Sequence, residues 1–84
     1  MRWICITFRS VTPAQRGERI LRGGGIDCAL RRTPRWMEEQ GCGYCLRLRV
    51  ENGQQAVQLL RRSAVKFSKV LSVAEKGAVE ELTL

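Results

Sequence analysis

Two cysteines three positions apart are the residues of this sequence whose type and spacing could do chemistry. Cys42 lies between two glycines in "QGCGYC", and Cys45 follows just before the alternating stretch "LRLRV". Flanking glycines remove side-chain obstruction, so the Cys42 sulfur is predicted to be exposed and open to close approach. An exposed thiol among nearby arginines has the environment of a reactive cysteine.

The other two cysteines are predicted to lie on opposite faces of a sheet. Cys28 takes an inward position in an alternating segment and is interpreted as a small core residue. Cys5 takes an outward position in the first strand, and the pattern assigns it no role. Because these two thiols would not converge with Cys42 and Cys45, a structural zinc within one chain is disfavoured, although a metal shared between two chains could use two thiols from each. We expect no metal and no cofactor.

Thiol exchange is the chemistry that best fits these residues. The C-x-x-C motif leads into a strand, whereas a thioredoxin-type site needs it at the start of a helix. The chain has no histidine, so the usual base of a Cys–His nucleophile is missing and a hydrolase is disfavoured. An exposed thiolate can still accept sulfur or selenium as a persulfide-type group and pass it on, or form a disulfide.

Length and charge set further bounds. The 84 residues suffice for one domain with a modest core, and no apolar run reaches the roughly 20 residues of a membrane helix. The N-terminal apolar segment is too short for a secretory signal, so we expect a cytoplasmic location, where thiols stay reduced. The net charge is +7, and fourteen of the 15 bases but five of the 8 acids lie in residues 1–74. This balance favours anionic partners.

The pattern of the chain predicts alternating strands and helices. "WICITF" is predicted to be a strand, followed by a helix in which Thr12 caps, Pro13 takes the first position and Gln15 completes a capping box. The glycines 23–25 end that helix before a second strand, "IDCALR". A connection leads to a third strand, in which Tyr44, Leu46, Leu48 and Val50 face the core. Asn52 then caps a helix to about Arg62, and "VKFSKVLSV" forms a fourth strand.

The order βαββαβ predicts the α+β class and a ferredoxin-like plait, with a four-stranded antiparallel sheet and two helices on one face. Residues 1–74 would form this single domain, and residues 75–84 a short C-terminal tail whose structure the pattern leaves undecided. In this topology strand 3 lies beside strand 1, so Cys42 is expected near Arg9, Ser10 and Thr12. The first turn of helix 1 would then favour the thiolate.

Several residues resemble the selenium/sulfur carrier-like protein family of bacteria: "TPR" at 33–35, "CG" at 42–43 and "LR" at 46–47. The resemblance covers residues 3 to about 72. It implies that Cys42 is the carrier thiol, Gly43 its companion, and Arg35 and Arg47 the nearby cations. Cys45 stands where the family commonly has a small residue. It is therefore either a resolving thiol or a residue that only fills that position.

The sequence favours a small thiol carrier over a stand-alone enzyme, and two other functions stay open. A carrier would need a protein that donates or accepts sulfur or selenium, such as a cysteine desulfurase. A nucleic-acid-binding module would use Arg47 and Arg49 on the open sheet face, but the aromatic signature of RNA-recognition strands is missing, so binding would be weak and nonspecific. A structural or protein-interaction domain is the third reading. The sequence does not predict the oligomeric state.

Overall fold

A computed structural model describes residues 2–34, 43–74 and 77–83. Two helices and five strands form in this part of the chain. In chain order they are β1 (Arg2–Phe8), α1 (Val11–Gly23), β2 (Cys28–Arg32), β3 (Tyr44–Arg49), α2 (Gly53–Arg62), β4 (Val70–Ala74) and β5 (Val79–Leu82). The strands form one antiparallel sheet in the order β2-β3-β1-β4-β5. The predicted α+β class is confirmed.

The predicted number of strands is wrong, because a fifth strand forms in the segment treated as a tail. β5 pairs with β4, with Val73 opposite Val79 and Val70 opposite Leu82. The sequence of β5, "VEEL", has two consecutive acids and no clear alternation. Its strand conformation comes from backbone hydrogen bonds to β4, which a hydrophobic pattern does not reveal.

The main core lies between one face of the sheet and the two helices. Alternate residues of β1 and β3 point into it, among them Ile4, Ile6, Leu46 and Leu48, each at most 1 % exposed. The predicted inward face of β3 is confirmed for these leucines and for Tyr44, which packs against the core. It is wrong for Val50, which is 46 % exposed, because β3 ends at Arg49 and the chain turns into a short 3₁₀ helix.

Helix α1 begins one residue before the predicted cap. Ser10 occupies the N-cap position with extended backbone, and its side chain makes no capping hydrogen bond. The predicted capping box of Thr12 and Gln15 is therefore wrong, because both residues lie inside the helix. The predicted glycine end is confirmed: Gly24 is the C-cap, and Gly25 has a φ of 83°, in the left-handed region that glycine tolerates.

Close packing of α1 on the sheet depends on Gly17. A Cβ at this position would lie 3.1 Å from Leu46, 3.2 Å from Phe8 and 3.3 Å from Leu60. These distances are shorter than an ordinary van der Waals contact. The glycine therefore lets the helix backbone approach the side chains of the core.

The second half of the chain follows the prediction with two differences. Asn52 takes the predicted N-cap position of α2, but its backbone is helical after the 3₁₀ turn and its side chain makes no capping hydrogen bond. β4 begins at Val70, five residues later than predicted. The preceding segment is held to β1 instead, where the Lys69 N–H donates to the Thr7 hydroxyl at 3.0 Å.

No helix within residues 2–34, 43–74 and 77–83 is long and apolar enough to cross a membrane.

Candidate functional site

The sheet face opposite the helices carries a cleft of about 700 Å³. Its floor is formed by β1 and β3, one wall by β2 and Pro34, and the other wall by β4 and Gly77. The residues that line it are Trp3, Cys5, Arg31, Arg32, Pro34, Cys45, Arg47, Val73, Ala74 and Gly77. Two thiols, several guanidinium groups and an apolar wall thus share one cleft.

Cys5 and Cys45 lie on neighbouring strands of the cleft floor. Cys5 is opposite Arg47 and Cys45 is opposite Thr7, so the two cysteines are diagonal neighbours on the same face. Each is 3 % exposed, and together with Leu71 they form a small cluster separate from the main core. Both are free thiols, and their side chains interact so that each shifts the pKa of the other. Cys5 therefore faces the predicted side of the sheet but is buried there.

A side-chain hydrogen-bond interaction between Cys5 and Cys45 separates the acidities of the two thiols. The pKa of Cys45 is lowered from 9.0 to about 7, mainly by Cys5, with the Thr33 hydroxyl, Arg31 and Arg47 helping to outweigh the opposing effect of burial. The pKa of Cys5 is raised, first by the hydrogen bond with Cys45 and then by burial. Cys45 therefore ionises first, and Cys5 keeps its proton and donates it to the Cys45 sulfur.

Thr33 adds a second donor next to Cys45. Its hydroxyl oxygen is buried and makes no hydrogen bond within the described parts of the chain, so its proton is free to turn towards the Cys45 sulfur, whose pKa it helps to lower. The backbone N–H of Thr33 donates to the Gly43 carbonyl at 3.0 Å. This bond joins two residues that lie on either side of the segment 35–42 in the sequence.

Arg31 and Arg47 bring positive charge to the cleft. Arg31 lies directly opposite Cys45 on β2, and Arg47 lies opposite Cys5 on β3. The guanidinium carbon of Arg47 is 4.1 Å from the centroid of the Trp3 ring. No described carboxylate forms an ion pair with Arg31 or Arg47. The cleft is therefore suited to an anion.

The predicted site residues fall into two groups. Arg47 and Cys45 line the cleft, and Gly43 immediately precedes β3. The φ of Gly43 is not positive, and nothing lies within 4 Å of a Cβ built there, so its surroundings are open. Cys42 and Arg35 lie outside the described residues.

The start of β3 lies where the sequence predicts it, at the exit of β1. Tyr44 pairs with Phe8 on one side and with Arg32 on the other. Arg32 also lies near the Tyr44 ring, with its guanidinium carbon 5.7 Å from the ring centroid. Tyr44, the second residue after Cys42, therefore lies between the end of β1 and the end of β2.

Cys28 is a core residue, as predicted. It is 5 % exposed, packs in the main core on the helix side, and has its pKa raised by burial. Cys5 and Cys28 do lie on opposite sides of the sheet. In the parts of the chain that the structure describes, no three histidine, cysteine or acidic residues are grouped so that they could hold a metal.

Sequence reasoning missed Cys5, Trp3 and Arg31 as residues of the cleft. Alternation does place Cys5 and Cys45 on the same face, and strand 3 beside strand 1 makes them neighbours. The sequence does not give the register in which β1 pairs with β3. A shift of that register by one residue pair would separate the two sulfurs. The wall formed after β4 also depends on the unpredicted fifth strand.

A family model described as "Putative Se/S carrier protein-like" matches residues 4–72. The match spans β1 to β4 and includes both cysteines of the motif at 42–45. Neither the search of curated proteins nor the search of solved structures found a match.

Proposed function

Because the chain belongs to the Se/S carrier protein-like family, we propose that it carries sulfur or selenium as a persulfide-type group on Cys42. The observation that carries this proposal is the position of Gly43, the residue directly after Cys42. The Thr33–Gly43 hydrogen bond ties Gly43 to the residue between Arg32 and Pro34, both of which line the cleft. Cys42 is the next residue along the chain, and consecutive Cα atoms are about 3.8 Å apart.

Loading and discharge on Cys42 need no oxidant or reductant. The Cys42 thiolate attacks the outer sulfur of a donor persulfide, the donor's S–S bond breaks, and the donor thiolate leaves with the electron pair. An acceptor nucleophile then attacks the outer sulfur on Cys42 and releases the Cys42 thiolate. Arg35 and Arg47 are the cations that we assign to stabilising these anions. The partners are a donor protein such as a cysteine desulfurase and an acceptor.

We assign Cys45 the role of resolving thiol. Its thiolate would attack the inner sulfur of a Cys42 persulfide, expel the outer sulfur as hydrosulfide and leave a Cys42–Cys45 disulfide. The lowered pKa of Cys45 supports this role, because the thiolate is the attacking species. The Cys42 chemistry needs reduced thiols, so we propose a cytoplasmic location.

We also interpret the fold as a ferredoxin-like plait, residues 1–74, extended by one strand. The strand order β2-β3-β1-β4 supports this interpretation, with β5 added at the β4 edge. In such a plait the loop between β2 and β3 and the start of α1 share one end of the sheet. The carrier cysteine would then be presented on a loop at that end, where a partner protein can reach it.

Single cysteine variants test the function. Wild type, Cys42→Ser and Cys45→Ser are incubated with a cysteine desulfurase and cysteine, and the sulfur on each is followed by intact mass under non-reducing conditions. We expect one added sulfur on wild type, none on Cys42→Ser, and normal loading with longer retention on Cys45→Ser. Normal loading of Cys42→Ser from the desulfurase would contradict the carrier assignment.

A further inference from the structure

A carrier on Cys42 that is resolved by Cys45 does not explain why Cys45 lies beside Cys5 at the floor of the cleft. Both sulfurs lie at the floor of the cleft, each residue is 3 % exposed, and the cleft above them measures about 700 Å³. A protein-bound donor cannot bring its persulfide to sulfurs so deeply placed without displacing the walls. A small molecule can enter the cleft, whose volume lies in the range of small-molecule sites.

The walls indicate the chemistry of that small molecule. Arg31 and Arg47 flank the two sulfurs, and neither pairs with a described carboxylate. Guanidinium groups bind planar or tetrahedral oxyanions through charge-assisted hydrogen bonds. Trp3 and Val73 add an apolar side. The ligand that fits is an anion that brings reactive sulfur to a thiolate.

We propose that the cleft binds a small anionic sulfane-sulfur compound and that Cys45 takes the sulfur from it. This site goes beyond the proposed function, because it does not involve Cys42. Arg31 and Arg47 bind the anionic part of the donor. The Cys45 thiolate lies next to both, opposite Arg31 and two residues from Arg47 along β3.

The transfer is balanced without a further reactant. With thiosulfate as donor, the Cys45 thiolate attacks the outer sulfur, a new S–S bond forms, and the bond between the outer sulfur and the sulfonate breaks. Sulfite leaves with the electron pair and stays stabilised by the arginines. Cys45 then carries a persulfide anion, and the total charge is unchanged.

Cys5 acts in this site as a positioning residue. Its diagonal placement relative to Cys45 corresponds to a separation of about 7–8 Å between backbones, which is at the limit for a disulfide. The two strands would have to shift before the sulfurs could bond. Cys5 instead keeps its proton and donates a hydrogen bond to the Cys45 sulfur. That hydrogen bond favours the thiolate form of Cys45, which is the nucleophile.

The experiment uses the full chain with Cys42→Ser, so that failure of the carrier proposal cannot affect its outcome. The protein is incubated with thiosulfate, and in a second series with glutathione persulfide, which offers carboxylates in place of the sulfonate. We expect one added sulfur, mapped to Cys45 by peptide mass spectrometry, and with thiosulfate one sulfite released per protein. Loading by either donor supports the site. Loading by neither, or loading that persists in Cys42→Ser/Cys45→Ser, would overturn it.

Charge variants test whether the arginines bind the donor. In the same background, Arg31→Gln and Arg47→Gln should each raise the half-saturating donor concentration about tenfold. Arg19→Gln is the matched control, because Arg19 is exposed on α1, which packs against the opposite face of the sheet. Arg31 is exposed at the sheet edge, so its replacement should leave the fold intact even if Arg47→Gln disturbs it. Equal donor dependence in Arg31→Gln and Arg19→Gln would refute anion recognition by the cleft.

The role of Cys5 is read from the pH dependence of loading. Cys5→Ala removes the donor, so the midpoint of the pH–rate curve should move upward. Cys5→Ser retains a hydroxyl donor and should restore most of the shift. A purely structural role would lower the rate of both variants without moving the midpoint, and a Cys5–Cys45 disulfide as the main product would also contradict the assignment.

Discussion

Arg47 and Trp3 are diagonal neighbours across β1 and β3, and the Arg47 guanidinium lies over the Trp3 ring at 4.1 Å. A guanidinium stacked in this way loses less conformational freedom when it binds an anion, because its side chain is already ordered. The pair thus fixes one cation of the cleft in position before any ligand arrives.

A double-mutant cycle measures the Arg47–Trp3 pair. Trp3→Leu, Arg47→Gln and the double variant are unfolded with urea, and the free energies of unfolding are compared. We expect a coupling energy of about 0.5–1 kcal/mol. Arg19 is exposed on α1, which packs against the opposite face of the sheet, so the matched cycle with Arg19→Gln should give almost no coupling. Equal coupling in both cycles would show that the stacking contributes nothing specific.

Stability should depend on pH through Cys45. Its pKa is lowered in the folded protein from 9.0 to about 7, so its contribution to stability is present above pH 9 and is lost as the pH falls towards 7. As the pH rises from 7 to 9, the free energy of unfolding of the wild type should therefore increase relative to that of Cys45→Ser. Denaturant unfolding of both proteins across this window provides the measurement. A difference that stays constant with pH would mean that Cys45 is not acidified.

Cys42 should alkylate faster than Cys28 at neutral pH. Cys28 is buried in the main core and has a raised pKa, whereas we propose that Cys42 is exposed on a loop. Limited treatment with iodoacetamide, followed by peptide mass spectrometry, gives both rates in one sample. The slow labelling of Cys28 serves as the internal reference for a folded protein. Protection of Cys42, or equal rates, would contradict its assignment as the carrier thiol.

Gly17 should not accept a side chain. Gly17→Val places methyl groups against Phe8, Leu46 and Leu60, and we expect it to lower the free energy of unfolding by about 2–3 kcal/mol. Gly23→Ala is the control on the same helix, because nothing lies within 4 Å of a Cβ at Gly23. The control should be neutral or should raise stability by about 0.5 kcal/mol. A tolerated valine would show that α1 can move away from the sheet.

The parts of the fold that depend on local pattern could be predicted from the sequence. Alternation identified the buried face of β3, and three consecutive glycines identified the end of α1. The start of α1 was misplaced because Ser10 and Thr12 are equally plausible caps in "SVTPAQ" and only the backbone decides between them. Hydrophobic pattern gave no sign of β5, because an acidic edge strand depends on its neighbour.

The candidate site could also be predicted only in part from the sequence. The motif "CGYC" drew attention to Cys42 and Cys45, and alternation placed Cys45 with Arg47. Cys5, forty residues earlier in the chain, joins them through the pairing of β1 with β3. Long-range register of this kind is set by the packing of the whole sheet, so a single sequence does not specify which diagonal neighbours meet.

The two edges of the described sheet have opposite charge. β2 at one edge exposes Arg31 and Arg32, and β5 at the other exposes Glu80 and Glu81. Two copies of the protein that met through the same edge would bring like charges together, so symmetric strand pairing is opposed at either end. Contact between unlike edges is the electrostatically favoured arrangement, and it is head-to-tail. Salt that screens these charges would therefore weaken both the repulsion between like edges and the attraction between unlike ones.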